Sequence, residues 1–162
     1  MTVIRRPLMT FEPAKSCVVF DVDGTLAHFD ADRLGHLVHG REKHWKEFHE
    51  AMASAPEIAP VAHLFRQLKG AGETIVICSG RPEAWAAYTV AWLQKRDLAF
   101  DAIYLRPAGA DSASDPEVKR VLLQKMRADG LEPWIVVDDR SSVVEAWRKE
   151  GLICLQCAPG LF

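Results

Sequence analysis

A chain of 162 residues with 20 Lys and Arg against 22 Asp and Glu has a formal charge of −2, so no global attraction draws it to nucleic acid or an anionic membrane. Any such binding must be local. The length suits one domain with a real core, residues 1–162, and no apolar run approaches the roughly 20 residues of a membrane span.

The opening run, MTVIRRPLMTFEPAKS, lacks the apolar stretch of a secretory signal, so the expected setting is cytoplasmic, with no membrane partner. Residues 18–27 read VVFDVDGTLA: an apolar run, two aspartates one residue apart, then Gly-Thr. Alternate residues of a strand share a face, so Asp21 and Asp23 would crowd unless the chain leaves the sheet there, and Gly24 permits the exit. Carboxylates held that close raise one pKa unless a cation neutralises them or one is protonated. Both remedies suit phosphate chemistry.

Residues 28–56 break the rhythm of the rest and predict a small cover inserted after the first strand. They hold His28, His36, His39, His44 and His49, which could form a zinc site or a pH-sensitive surface. No ligand pair on a defined helix emerges, so these histidines read as exposed. Ile58, Val61, Leu64, Phe65 and Leu68 then mark a helix stopping near Lys69 and Gly70, and TIVIC at 74–78 marks a strand. Trp85, Tyr88 and Trp92 mark a second helix; their stripe could stack bases but, at helical spacing, reads as core.

AIYL at 102–105 is the next strand, followed by the loop AGADSASD at 108–115 and a helix marked by Val118, Val121, Leu122 and Met126. WIVV at 134–137, a helix through Val143, Val144 and Trp147, and LICL at 152–155 complete the alternation. Such alternation predicts an α/β fold around a central parallel sheet. Cys17, Cys78, Cys154 and Cys157 lie in or beside apolar runs and read as small buried hydrophobes. The last two form a C-x-x-C pair, but without a second such pair a zinc or redox role is not favoured.

Ligands of open α/β sheets bind outside the carboxyl ends of the strands. Three strand ends here carry polar groups: Asp21 and Asp23; Ser79, Gly80 and Arg81; Asp138, Asp139 and Arg140. One such ending reads as a helix cap or turn, whereas three on buried strands predict a site. An aspartate can attack phosphorus and hold the phosphoryl group, and a second carboxyl can serve as acid and then base. Asp21 and Asp23 suit these roles, with Asp138 and Asp139 as hard oxygen ligands for Mg²⁺. Ser79 and the amides near Gly80 lie where a phosphate-binding helix start belongs, with Pro82 as its first-turn residue.

From Cys17 to Phe162 the chain resembles the haloacid dehalogenase-like (HAD) phosphohydrolases, on D-x-D-G-T, Ser-Gly-Arg, the lysine after Asp115-Pro116, and the Asp138-Asp139 pair. More narrowly, DVDGTLA, ICSGR, AWL, DPEVK, VVDDR, VVEAWR, GLICLQ and the final G-L-F are similar to the 3′-phosphatase half of bacteriophage polynucleotide kinases. The resemblance implies a three-layer Rossmann-like HAD fold with helices on both faces of the sheet and a small cap at about 28–56. It implies a Mg²⁺-dependent phosphatase acting on 3′-phosphorylated polynucleotide ends through an aspartyl-phosphate. Phosphate would be bound by Ser79, Gly80 and Lys119, and metal by Asp21, the Asp23 carbonyl, Asp138 and Asp139.

Asp115 matches the carboxylate that partners the family's lysine, though it also suits a helix N-cap. Arg81 suits either substrate phosphates or the orientation of the acids, Arg106 and Arg140 are candidates of the same kind, and Arg33 stands nearest the family's cap arginine. No G-x-x-x-x-G-K-[ST] run occurs, so a 5′-kinase or a ligase would be a separate partner. Two rival readings remain: a phosphatase of nucleotides or other small metabolites with the same chemistry, and a non-catalytic nucleic-acid scaffold, against which the full set of acids argues.

Overall fold

At the centre of the sheet lies β1 (Lys15–Phe20), whose residues Cys17 to Phe20 are completely buried. The computed structural model describes residues 12–160, so the start of the chain and the closing Leu161-Phe162 of the family-like G-L-F lie outside the described residues. Successive side chains of a strand face opposite sides, and β1 uses both. Val18 and Phe20 pack into one core with Ile75, Ile77, Phe65 and Trp92, while Cys17 and Val19 join a second with Val76, Cys78, Leu122, Val136 and Trp147. A strand buried on both faces needs this unbroken apolar run. Phe20 and Phe65 meet with ring centroids 5.1 Å apart, and burying a ring of that size contributes about 1.5–3 kcal/mol.

β2 (Ile75–Pro82), β3 (Ala102–Arg106), β4 (Leu131–Arg140) and β5 (Cys154–Gly160) complete a parallel sheet in the order β3-β2-β1-β4-β5. Between β1 and β2 come α1 (Ala31–His39), α2 (Trp45–Met52) and α3 (Ala59–Gly70). A one-turn helix at Glu83–Trp85 precedes α4 (Ala86–Gln94), and α5 (Asp115–Ala128) and α6 (Ser141–Lys149) follow β3 and β4. Phe65 of α3 and Trp92 of α4 belong to one core, Leu122 of α5 and Trp147 of α6 to the other, so the helices cover both faces as the α/β pattern requires. Helix α1, helix α2 and their linker form the inserted cover. Its neck is tied where His28 N–H donates to the Pro56 carbonyl at 3.0 Å and Ile58 N–H to that of Leu26 at 2.7 Å. No helix among the described residues is long and apolar enough to cross a membrane.

Several local expectations require correction. The last strand begins two residues later than LICL and runs on through Pro159, which an edge strand tolerates because the missing N–H faces no neighbour. Pro82 closes β2 rather than opening an α-helix, because the pairing with β3 shifts register between Ser79 and Pro82. The aromatic stripe divides: Trp92 is core, Trp85 is half-buried, and Tyr88 is 40% exposed. Trp85 and Tyr88 instead meet His49 of α2, whose ring stacks on Trp85 at 5.3 Å and 11°. His49 is therefore buried, unlike the other four cover histidines. Cys157 is exposed; the other three cysteines are buried.

Candidate active site

Because β1 lies between β2 and β4, the three polar strand ends reach one edge of the sheet. At Asp21 the chain leaves the sheet, and Gly24 turns it with φ +84°. A Cβ on Gly24 would stand 2.2 Å from Asp139 Oδ2, so the residue serves both a left-handed turn and a close approach. We expect Gly24→Ala to lower Tm and, by displacing Asp139, to cut phosphatase turnover. A thermal melt and an assay against an aryl phosphate check both, and wild-type values for both would show that the approach is not needed.

Lys119 reaches from α5 into the middle of this cluster. Its Nζ donates to Asp21 Oδ1 at 2.6 Å, to the Cys78 carbonyl at 2.6 Å and to Asp138 Oδ2 at 3.3 Å. Burial works against the ammonium, but Asp138 and Asp21 outweigh it and hold the Lys119 pKa well above its ordinary value. Asp21 Oδ2 keeps no hydrogen-bond partner among the described residues, leaving it available to the cavity. Asp138 is the most heavily bonded acid: Oδ1 accepts from the Asp139 and Arg140 amides at 2.9 and 3.3 Å, and Oδ2 also accepts from the Trp147 indole at 3.1 Å. Among the described residues the Asp139 carboxylate accepts from the Thr25 hydroxyl at 3.2 Å, and its backbone carbonyl from the Gln156 side-chain amide at 2.9 Å.

Asp21, Asp138 and Asp139 bring carboxylate oxygens within 4.8 Å of one another, all of them buried. Burial, reinforced by Asp138 and Asp139 and opposed by Lys119, pushes the Asp21 carboxyl well above the usual range. Burial and Asp138 push Asp139 up to about 6. Three buried acids facing one lysine want a further positive charge, and an all-oxygen donor set suits a hard divalent cation such as Mg²⁺.

Asp23 stands apart from this trio. Arg81 grips it with both ends of the guanidinium, Nε to Oδ2 at 2.8 Å and Nη2 to Oδ1 at 2.6 Å. Arg81 is itself fixed by Thr89 at 3.2 Å and lies over the Phe48 ring at 5.5 Å. The irregularity in β2 falls at Gly80-Arg81, a device that re-aims a side chain at a sheet edge. Of the two roles open to Arg81, orientation of an acid is the one this geometry displays. The Ser79 hydroxyl accepts from the Arg81 amide at 3.2 Å and lines the same cavity.

Asp115 does not pair with Lys119 and is not the N-cap. Ser114 caps α5 in a reciprocal box with Glu117, and Asp115, one residue later, is held by Arg106 and Arg140. Arg106 also donates to the Gly80, Ala110 and Ala113 carbonyls at 2.7–2.8 Å, tying the loop after β3 to β2. Arg33 is exposed on the far side of the cover, beside a separate hollow with His28 and Ser54, and the structure does not bring it to the site.

Sequence reasoning missed the wall of the cavity. Phe29, Val38, His39, Trp45 and Phe48 from the cover face the acids across about 70 Å³. The available signal was helical spacing of apolar residues: Leu34, Leu37 and Val38 in α1, and Trp45, Phe48 and Met52 in α2, all turned toward the core. Thr25 and Trp147, which orient Asp139 and Asp138, lie within motifs noted above that gave them no role of their own.

A Rossmann-like parallel sheet whose central strand delivers D-x-D-G-T beside a lysine and an Asp-Asp pair defines a phosphohydrolase of the HAD class. Residues 15–162 match the family described as the polynucleotide kinase PNKP phosphatase domain, and the chain belongs to that family. Among solved structures it is similar to a chain of the Pnkp1/Rnl/Hen1 RNA repair complex, with TM-score 0.74 and 25% identity over 99% of this chain and 49% of that one. This chain thus spans about half the length of that relative. The fold is also shared with the class C acid phosphatase from Bacillus anthracis with tungstate bound (TM-score 0.63, 13% identity, 93% and 69% covered). A predicted phosphatase from Clostridium acetobutylicum is similar as well (TM-score 0.59, 16% identity, 90% and 85% covered). The chain is a phosphatase of the HAD superfamily.

Proposed function

We propose that this phosphatase removes 3′-phosphate from polynucleotide ends, with Mg²⁺ as cofactor and Asp21 as nucleophile. The observation that carries the reading is the division of labour among the acids: Lys119 takes one oxygen of Asp21 and leaves the other free, while Arg81 holds Asp23 apart from the trio. Asp21 Oδ2 would attack phosphorus as the bond to the 3′-oxygen breaks, and Asp23 would give its proton to that oxygen. Asp23 would then take a proton from the water that cleaves the acyl phosphate, releasing inorganic phosphate and restoring Asp21.

Mg²⁺ held by Asp21, the Asp23 carbonyl, Asp138 and Asp139 would supply charge neutralisation for the transferring group. Of the two paired acids, Asp139 has more lone pairs to give, since Asp138 already accepts from four donors. Ser79, the Gly80 backbone and Lys119 would hold the non-bridging oxygens. Arg106 and Arg140 act on this reading through Asp115, as braces of the site's rim.

Family membership and the likeness to a chain of an RNA repair complex support a polynucleotide substrate, with a 5′-kinase or a ligase as the partner activity. The test compares kcat/KM for a 3′-phosphorylated oligonucleotide with that for a nucleoside 3′-monophosphate, with Mg²⁺ and with chelator. We expect a preference of at least about tenfold for the oligonucleotide, the scale of one added charged contact, and loss of activity on chelation that Mg²⁺ restores. Equal constants would favour a phosphatase of small metabolites, and full activity in chelator would remove the metal from the reading.

A further inference from the structure

The cavity above Asp21 is far smaller than the roughly 300 Å³ of sites that enclose whole small molecules, and it admits a few waters or a phosphoryl group. The remainder of any substrate must lie outside it. A trench of about 620 Å³ adjoins it, the two sharing Val38, His39, Asp115 and Arg140 as common wall. The trench runs between the cover and the start of α5.

Charge in this trench is unevenly satisfied. Its acids are engaged: Asp115 with Arg106 and Arg140, Glu117 with the Ser114 cap, and Asp111 with the Trp45 indole at 3.2 Å. Lys43 is different. Its Nζ donates to the Val38 carbonyl at 2.6 Å, but among the described residues no carboxylate lies within the 4.0 Å of an ion pair. Burial and the Arg106 guanidinium pull its ammonium below the ordinary value, while Asp115 and Asp111 act against them from beyond ion-pair distance. Arg41, exposed on the same wall, has no ion-pair partner among the described residues either. A half-buried ammonium bonded to a neutral carbonyl, with no carboxylate within ion-pair distance among the described residues, is a site that an anion would stabilise.

We propose that the trench seats the phosphodiester next to the terminal nucleotide of the polynucleotide strand, with Lys43 as its counter-ion and Arg41 beside it. This rests on the phosphatase reading of the adjoining cavity. It places a determinant of polynucleotide specificity on the cover, in the linker between α1 and α2, rather than among the acids. A nucleoside 3′,5′-bisphosphate could bring the same phosphate chemistry, so the test carries both sources.

The experiment measures kcat/KM for a 3′-phosphorylated octanucleotide, a nucleoside 3′,5′-bisphosphate and a nucleoside 3′-monophosphate, using wild type, Lys43→Gln, Lys43→Arg and Arg41→Gln. In Lys43→Gln the ratio of octanucleotide to monophosphate should fall about tenfold, and the slope of log KM against log salt should drop by about one. Lys43→Arg, which keeps the charge, should keep both. Arg41→Gln, on an exposed residue with no ion pair to lose, should move the ratio the same way by less, and it carries the test alone if Lys43→Gln does not fold. A wild-type enzyme without octanucleotide preference would refute the parent reading. A preference that survives Lys43→Gln and Arg41→Gln with its salt slope intact would overturn the trench assignment and leave the parent reading standing. Wild-type turnover of the bisphosphate equal to that of the octanucleotide would assign the trench to a bisphosphate metabolite and overturn the strand.

Discussion

Replacing Asp21 by Asn is expected to abolish turnover while leaving the fold intact. An amide cannot carry the phosphoryl group, and removing a covalent catalyst typically costs at least about a thousandfold. The structural cost is small because the charged carboxyl is itself disfavoured there: burial and the neighbouring Asp138 and Asp139 outweigh the attraction of Lys119. Metal-free Asp21→Asn should therefore melt no lower than the wild type at pH 7, with unchanged far-UV circular dichroism. Steady-state assays with a 3′-phosphorylated oligonucleotide check the first half, and residual activity above a few thousandths of wild type would remove Asp21 as nucleophile. A large drop in Tm would instead show that its bond to Lys119 outweighs the crowding.

Lys119→Met should do the opposite to stability. It removes the only cation within reach of Asp21 and Asp138 among the described residues and leaves the buried acids unopposed. Breaking a buried ion pair by deleting one partner costs about 3–5 kcal/mol, and the hydrogen bond to the Cys78 carbonyl is lost as well. The pH dependence has a definite sign. Native Asp21 and Asp139 bind protons more tightly than in the unfolded chain, so the native state holds more protons between the ordinary carboxyl value and the folded ones, about 6 for Asp139. Stability therefore falls as pH rises through that window. Without Lys119 the acids are pushed higher still, so the deficit of the variant should be greatest near pH 7–8 and shrink below about pH 5. Chemical denaturation across pH measures it, and a deficit independent of pH would mean that the lysine matters only as packing. Turnover should fall by about a hundredfold or more, as on removing one preorganised donor at a charged transition state.

The residues that converge on this cluster are legible because they lie at the ends of apolar strands, where period and chemistry coincide. Asp21, Ser79 and Asp138 are each positioned by their own strand, and a parallel sheet with β1 in the middle brings those ends together. What stays hidden depends on contacts between segments that carry no shared pattern. The family resemblance suggests Lys119 as the partner of Asp115, but the guanidinium groups that hold it come from the ends of β3 and β4. Order along the chain points to Arg33, whereas the direction of a side chain on a two-helix cover depends on which face packs inward; Leu34 faces in and Arg33 out. His49 groups with the other histidines by position alone, because its stacking partner Trp85 lies beyond the whole of α3 and β2. The cover is foreseeable as an insertion, but not its role as a wall.

The single ammonium of Lys119 touches the ends of three adjacent strands: the acid after β1, the Cys78 carbonyl of β2 and Asp138 of β4. That arrangement has a temporal meaning during synthesis. Although Asp21 and Asp23 precede α5 and β4 along the chain, their electrostatic setting does not exist until those elements have followed and the strands have paired. A nascent chain halted after β3 would carry the D-x-D-G-T motif without Lys119 or the Asp138-Asp139 pair, so the buried charge cluster is assembled only when the fold closes around its last acids.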